Sequence, residues 1–344
     1  MRRWMVCLLA LGGLCLSPPA AAQQAARLFS QDDPLELTIE APISDIIRNA
    51  QRNTDPHAGS VRVNGGPPIE MRLSARGLTR RTGGICAFPP LRLEFDGPAR
   101  RGTIFQGQGR LKLVTHCKPI DNYEQRVVLE YLAYRLYNVV TPLSYRVRAA
   151  RITYVDTAGR RSPDTRFGFL IEDVDDVARR NNRTKVEAPS VAMDSLDSLA
   201  ASRAALYQYM IGNLDWSFTR GPAGEDCCHN TRPIGAAGAI VPLPYDFDQS
   251  GFVDAPYALP PQGIRIASVR TRVFRGLCQH NASIPAAAAE FTAKRADIMA
   301  LIGAETRLPE DRRRSAQRYL EGFFEAIDPS RLDATIIRSC RGAN

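Results

Sequence analysis

The chain has 344 residues, of which 44% are hydrophobic and 24% are charged. That allows a large core, expected in two lobes. Its formal net charge of +9 is scattered along the chain rather than gathered in a tail. The scatter leaves only mild attraction to anionic polymers or the cell envelope, and it argues against a nucleic-acid arm.

Residues 1–22 read as a secretory leader. Arg2 and Arg3 form a charged start, Trp4 to Leu16 is an apolar run, and Ala20-Ala21-Ala22 precedes Gln23. A lipoprotein signal at Cys15 is the rival reading, disfavoured because Leu14 stands where a small residue is needed. Removing the leader takes Arg2 and Arg3 from the +9, which leaves +7. No later stretch reaches membrane-spanning length, so an exported protein, secreted or periplasmic, is expected. Nucleic acid is then an unexpected partner.

Of the eight cysteines, six lie beyond the leader: Cys86, Cys117, Cys227, Cys228, Cys278 and Cys340. An even number in an oxidising compartment points to disulfides. The expected pairs are Cys86 with Cys117 and Cys278 with Cys340, and the vicinal pair stays open. Zinc is disfavoured, because no pair of Cys-x-x-Cys knuckles is present.

The stretch from Leu35 to Phe105 is strand-rich. Leu35 to Ile39, Ser60 to Val63, Ile69 to Ser74 and Leu91 to Phe95 alternate or cluster apolar residues between Gly/Pro turns. Between two of them lies Arg76-Gly77-Leu78-Thr79-Arg80-Arg81. Such a turn can hold phosphate through backbone amides and guanidinium forks, although taken alone it reads better as an ordinary basic hairpin loop. Gly107 to Cys117 predicts a strand that projects Lys112. Lysine is rare here: only Lys112, Lys118, Lys185 and Lys294 are present among 45 Lys and Arg. A retained lysine hints at a need for a compact point charge. Asn122 to Asn138 predicts a helix, with Glu130 inside its apolar run. Tyr145 to Val155 and Phe167 to Ile171 predict two more strands, the second running into Glu172-Asp173. Helices are expected over Ser195 to Met210, Pro285 to Ile302 and Pro309 to Ile327, with a short last one over Pro329 to Arg338.

The segment from Tyr207 to Gly251 concentrates the chemistry. A helix end delivers Asn213, Asp215 and Trp216; His229-Asn230 follows; the apolar run Ala239 to Pro244 then delivers Asp246 and Asp248. Carboxylates beside apolar segments are costly to bury unless charge neutralises them. Hard oxygen ligands suit Mg²⁺ or Mn²⁺, which usually accompany phosphates. A loop Asp, a later Asn and an Asp after a strand is the order of parts in kinase-type phosphoryl transfer. A Ca²⁺-stabilised loop, or acidic residues capping amides, is the alternative.

Strands first and helices later predict an α+β, two-lobed arrangement. Its expected parts are a β-rich N-terminal lobe over residues 23–172 and a mainly helical C-terminal lobe over 173–344. The motif set resembles the secreted atypical kinases of the spore-coat CotH family, within the protein-kinase-like superfamily. The residues carrying the likeness are Arg76-Gly77 with Arg80, Lys112, Glu130, Gly168 to Glu172, Asn213-x-Asp215, His229-Asn230 and Pro244 to Asp248, spanning roughly Ile69 to Ala258. The resemblance implies a protein-kinase-like fold and transfer of phosphate from ATP to a Ser or Thr of another exported protein; a monomer is expected. In its terms Lys112, Arg76 and Glu172 bind nucleotide, and Glu130 pairs with Lys112, with Glu124 as a substitute. Asp215 orients or deprotonates the acceptor hydroxyl, while Asn230 and Asp246, with Asp248 nearby, hold the metal. No Gly-x-Gly-x-x-Gly loop and no His-Arg-Asp triplet is present. Two further functions fit the same residues: a kinase-fold envelope-binding protein without turnover, and a metal-dependent phosphohydrolase.

Overall fold

The computed structural model describes residues 26–82 and 84–342. The expected leader lies outside the described residues. Seven strands form a closed barrel: β1 (Leu35–Ala41), β2 (His57–Val63), β3 (Ile69–Ala75), β4 (Leu91–Glu94), β5 (Arg110–Val114), β6 (Val147–Asp156) and β7 (Asp164–Ile171). Their order round the barrel is β1-β2-β3-β4-β5-β7-β6. Every pairing is antiparallel except the one that closes it, where β1 runs parallel to β6 with Leu35 opposite Ala150 and Ala41 opposite Asp156.

Side-chain alternation sorts the two faces of the wall. Leu35, Leu37, Ile39, Val61, Leu73 and Leu93 are among the residues that fill the interior. On β7 the register sends Leu170 inward, whereas Phe167, Phe169 and Ile171 belong to a different cluster outside. Gly168 sits where neighbouring strands leave no room: a Cβ there would lie 2.7 Å from the Val114 carbonyl oxygen and 2.8 Å from Ile152 Cδ1.

Eight α-helices lie among the described residues: α1 (Ile43–Asn49), α2 (Asp121–Val140), α3 (Val174–Arg180), α4 (Ser198–Ile211), α5 (Ile284–Ala293), α6 (Arg295–Gly303), α7 (Glu310–Ala326) and α8 (Leu332–Thr335). A two-stranded sheet pairs β8 (Thr231–Ile234) with β9 (Val241–Pro244). The helix α2 begins with Asp121 and Glu124 in its first turn, which suits the positive end of the helix dipole. It lays Tyr131 and Tyr134 edge-on against Phe169. It also touches α4, where Tyr207 stacks on Tyr137 and donates a hydrogen bond to the Ala133 carbonyl.

The expectation of a two-lobed, protein-kinase-like α+β fold is overturned. The sheet has no open lobe form, because parallel pairing of β1 with β6 joins its two edges. One apolar cluster also runs without a break from Val114, Phe167 and Ile171 on the barrel wall to Leu320 and Phe323 in α7. One expected helix is revised as well, and two helices were not foreseen. The helix over Pro285 to Ile302 divides at Lys294 into α5 and α6. Helices α1 and α3 replace stretches that carry no strong helical period. In α3, Asp173 caps the Asp175 amide, and acids in the first turn face Arg179 and Arg180 in the last.

The disulfides Cys86–Cys117 and Cys278–Cys340 form as expected, and Cys227 bonds to Cys228. Such cystines fit an oxidising, extracellular or periplasmic setting. Among the described residues, no helix is long and apolar enough to cross a membrane.

Candidate functional site

The organising segment begins where α4 ends. Gly212 takes a left-handed conformation (φ 62°) and turns the chain, and a Cβ there would collide with the Tyr319 hydroxyl. The following loop is held rigidly. Asn213 is buried and its Oδ1 accepts from the Asp215 amide at 3.0 Å. Trp216 Nε1 donates to the Asn213 carbonyl at 2.9 Å, and Phe218 packs on the Trp216 ring at 4.2 Å.

Asp215 then meets the second segment. His229 Nε2 lies 2.6 Å from its Oδ1, and Asn230 Nδ2 donates both to its Oδ2 at 2.9 Å and to its carbonyl at 2.7 Å. The Asp215 hydrogen bond draws the His229 pKa above its ordinary value, against the effect of burial. With Nδ2 turned to Asp215, the Oδ1 of Asn230 has no hydrogen-bond donor among the described residues.

The third segment follows β9. Asn230 and Asp246 both adopt the left-handed backbone region (φ 48° and 63°), which Asn and Asp tolerate better than most residues. Two hydrogen bonds fix this geometry: the Tyr245 amide donates to the Asn230 carbonyl at 3.1 Å, and the Asp246 amide donates to the Tyr134 hydroxyl at 2.9 Å. The Asp246 side chain is 41% exposed.

Arg80 is the hub that sequence reasoning undervalued. It leaves the basic turn and buries itself, only 6% exposed, against Glu130 of α2. The grip is bidentate, at 3.2 Å to each carboxylate oxygen. Its Nε lies 3.2 Å from Asp248 Oδ2, and its Nη2 lies 3.8 Å from Asp246 Oδ1. One guanidinium therefore faces three carboxylates. Burial, set against the pull of Arg80 and reinforced by Asp248 and Asp246, pushes Glu130 up to about 7. Burial likewise pushes Asp248 up to about 6. Against its own burial, Glu130 and the other carboxylates hold Arg80 well above its ordinary value.

The structure redistributes the other predicted roles. Glu130 pairs with Arg80 and not with Lys112. The reason is geometric: Lys112 projects from β5 onto the Tyr245 ring, with Nζ 4.5 Å from the centroid. Burial and the repulsion of Arg76 and Arg232 hold Lys112 down at about 8. Glu124 accepts from the Phe167 amide at 2.9 Å and pairs with Arg166, so it anchors β7 to α2. The carboxylate of Glu172 is fully committed. Its Oε1 takes Arg180 Nε at 2.9 Å, and its Oε2 takes Arg180 Nη2 at 3.0 Å and the Arg146 amide at 2.9 Å. Asp248 serves Arg80 and accepts from the Tyr257 hydroxyl at 3.1 Å. Arg76 donates to the Leu91 carbonyl at 3.1 Å and lies within the field of Asp246. Sequence reasoning overlooked Arg232, whose Cζ is 5.1 Å from the Tyr245 ring centroid. No local pattern singled it out among the many arginines; the hairpin register that places it opposite Leu243 is set by the fold.

A divalent ion tests this arrangement. Among the described residues, no three or more His, Cys, Asp or Glu side chains form a ready cage. Mg²⁺ does not need one, because it keeps waters and binds through one or two carboxylates plus substrate phosphates. Asp246, half-exposed, and the Oδ1 of Asn230 fit that pattern, whereas Asp248 is spent on Arg80. Beside Asp215, a shallow depression with room for about one water molecule has an apolar wall of Leu214, Leu259, Pro261, Ile266 and Val269. No protein-family model matches this chain, and no curated protein matches its sequence.

Proposed function

We propose that this protein is a metal-assisted phosphotransferase that moves a terminal phosphoryl group from an oligophosphate donor such as ATP to a hydroxyl of an exported acceptor. One observation carries the reading: charge is sorted across Tyr245-Asp246. On one side Arg76, Lys112 and Arg232 gather positive charge; on the other Asp215, Asn230 and Asp246 gather oxygen ligands. A phosphate chain with its divalent ion is the ligand whose charges match both sides.

Each residue then has a defined task. Lys112 and Arg76 neutralise phosphate oxygens, and Arg232 joins them. Asp246 and Asn230 hold Mg²⁺ or Mn²⁺, which when bound would screen the charge that develops on the phosphates. Asp215 accepts a hydrogen bond from the acceptor hydroxyl and aligns its oxygen with the terminal phosphorus. The new O–P bond forms as the bridging P–O bond breaks. The hydroxyl proton passes to the Asp215 carboxylate, and the shortened donor leaves with the electron pair. His229 and Asn230 restrain the Asp215 carboxylate, so it need not reorganise. The apolar wall beside Asp215 suits the side of an acceptor chain, with a Ser or Thr as the hydroxyl donor.

The test is transfer of radiolabelled terminal phosphate with Mn²⁺, either to the protein itself or to casein as a surrogate acceptor. Asp215→Asn should lower the rate at least ~100-fold while leaving donor binding intact. Release of phosphate to water at the same rate with and without acceptor would move the reading to a phosphohydrolase. Donor binding without any turnover in the wild type would sink catalysis and leave a binding protein.

A further inference from the structure

We infer that the donor is recognised by its phosphate chain and not by its nucleoside, so that inorganic tripolyphosphate occupies the site as well as ATP does. This rests on the transfer reading for the identity of the ligand as donor.

Two sets of residues carry the inference, one vacant and one spent. The vacant set is cationic. Lys112 and Arg232 both lie against the Tyr245 ring, and Arg76 is close enough to repel Lys112. Among the described residues, none of these three cations makes an ion pair with a carboxylate. Their partners are the Tyr245 ring and the carbonyls of Leu91, Cys228 and Thr231. The buried arginines elsewhere in the site region, Arg80 and Arg180, both grip carboxylates. Half-buried cations left to carbonyls and a ring lack a counter-charge, and a polyanion compensates three of them together.

The spent set is what would read a base or ribose. Glu172, which the resemblance had assigned to the nucleotide, has both oxygens filled by Arg180 and the Arg146 amide. Tyr145 is buried and its ring meets Tyr245 edge-on at 6.0 Å, so an aromatic pair backs the ring that Lys112 lies over. Selectivity comes from groups that lose their partner when the wrong ligand binds. Here those groups face phosphate.

Isothermal titration of the wild-type protein with ATP, GTP and sodium tripolyphosphate, each with Mn²⁺, decides the matter. The three dissociation constants should agree within about threefold, and Arg232→Gln should weaken all three by a common factor of about ten. ATP binding more than about tenfold tighter than tripolyphosphate would overturn the inference while leaving phosphoryl transfer intact. A loss in Arg232→Gln confined to ATP would do the same. Failure of all three ligands to bind the wild type would overturn both readings.

Discussion

Two buried glutamates, each gripped by an arginine fork, sit in opposite surroundings. Glu172 meets Arg180 and a backbone amide, and Arg180 gives its remaining donors to the carbonyls of Pro142 and Ser144. The charges there cancel one for one, and every group has a partner. Glu130 shares Arg80 with Asp246 and Asp248, so one guanidinium faces three carboxylates at close range. The first arrangement pins the β7–α3 junction; the second holds an excess of negative charge at a place that solvent reaches through Asp246. The lesson is that burial of an ion pair does not mark function, whereas its imbalance does.

Breaking the balanced pair should have the largest effect. Arg180→Met strands Glu172 as a lone buried carboxylate, and urea unfolding should show a loss of about 3–5 kcal/mol that Mn²⁺ does not restore. A loss below about 1 kcal/mol would mean that the pair is not the scaffold described.

The unbalanced cluster should reveal itself through pH. The folded-state pKa values of Glu130 and Asp248 lie above those of ordinary carboxylates, at about 7 and about 6. The folded state therefore binds more protons than the unfolded state between about pH 4 and 7, and stability falls as pH rises through that window. Replacing Glu130 by Gln removes one negative charge. The difference in unfolding free energy between mutant and wild type should shift in the mutant's favour by ~2 kcal/mol from pH 4.5 to 7.5. A pH-independent difference would show that Arg80 neutralises the cluster unaided.

The smallest effect should come from filling the site. Mn²⁺ at about ten times its dissociation constant should add about 1.4 kcal/mol to wild-type stability. Asp246→Asn should abolish the gain without a backbone penalty, since Asn accepts the left-handed conformation at that position. Retention of the gain in that variant would place the ion elsewhere.

Much of the barrel was legible locally. The alternation of Leu35, Leu37 and Ile39, and of Leu91 with Leu93, reflects one buried face, and a period of two needs only neighbouring residues to show it. The long period of α2 and the acid-rich segment from Asp215 to Asp248 were legible for the same reason. The pairings Cys86–Cys117 and Cys278–Cys340 could be read as well.

What the amino-acid order determined by itself was the inventory: most of the barrel strands and long helices, and which carboxylates, cations and cysteines they carry. Tertiary structure alone decided the closure of the sheet, because pairing Leu35 with Ala150 depends on contacts more than a hundred residues apart, which no local pattern encodes. It also decided partnership. Glu130 could have met Lys112 or Arg80, and both are basic residues on or beside barrel strands. The choice fell to Arg80 because its turn folds back over α2, while the strand direction of β5 sends Lys112 to Tyr245. Charge type is written in the chain, but the distance between charges is set only when the barrel closes and α2 packs against it.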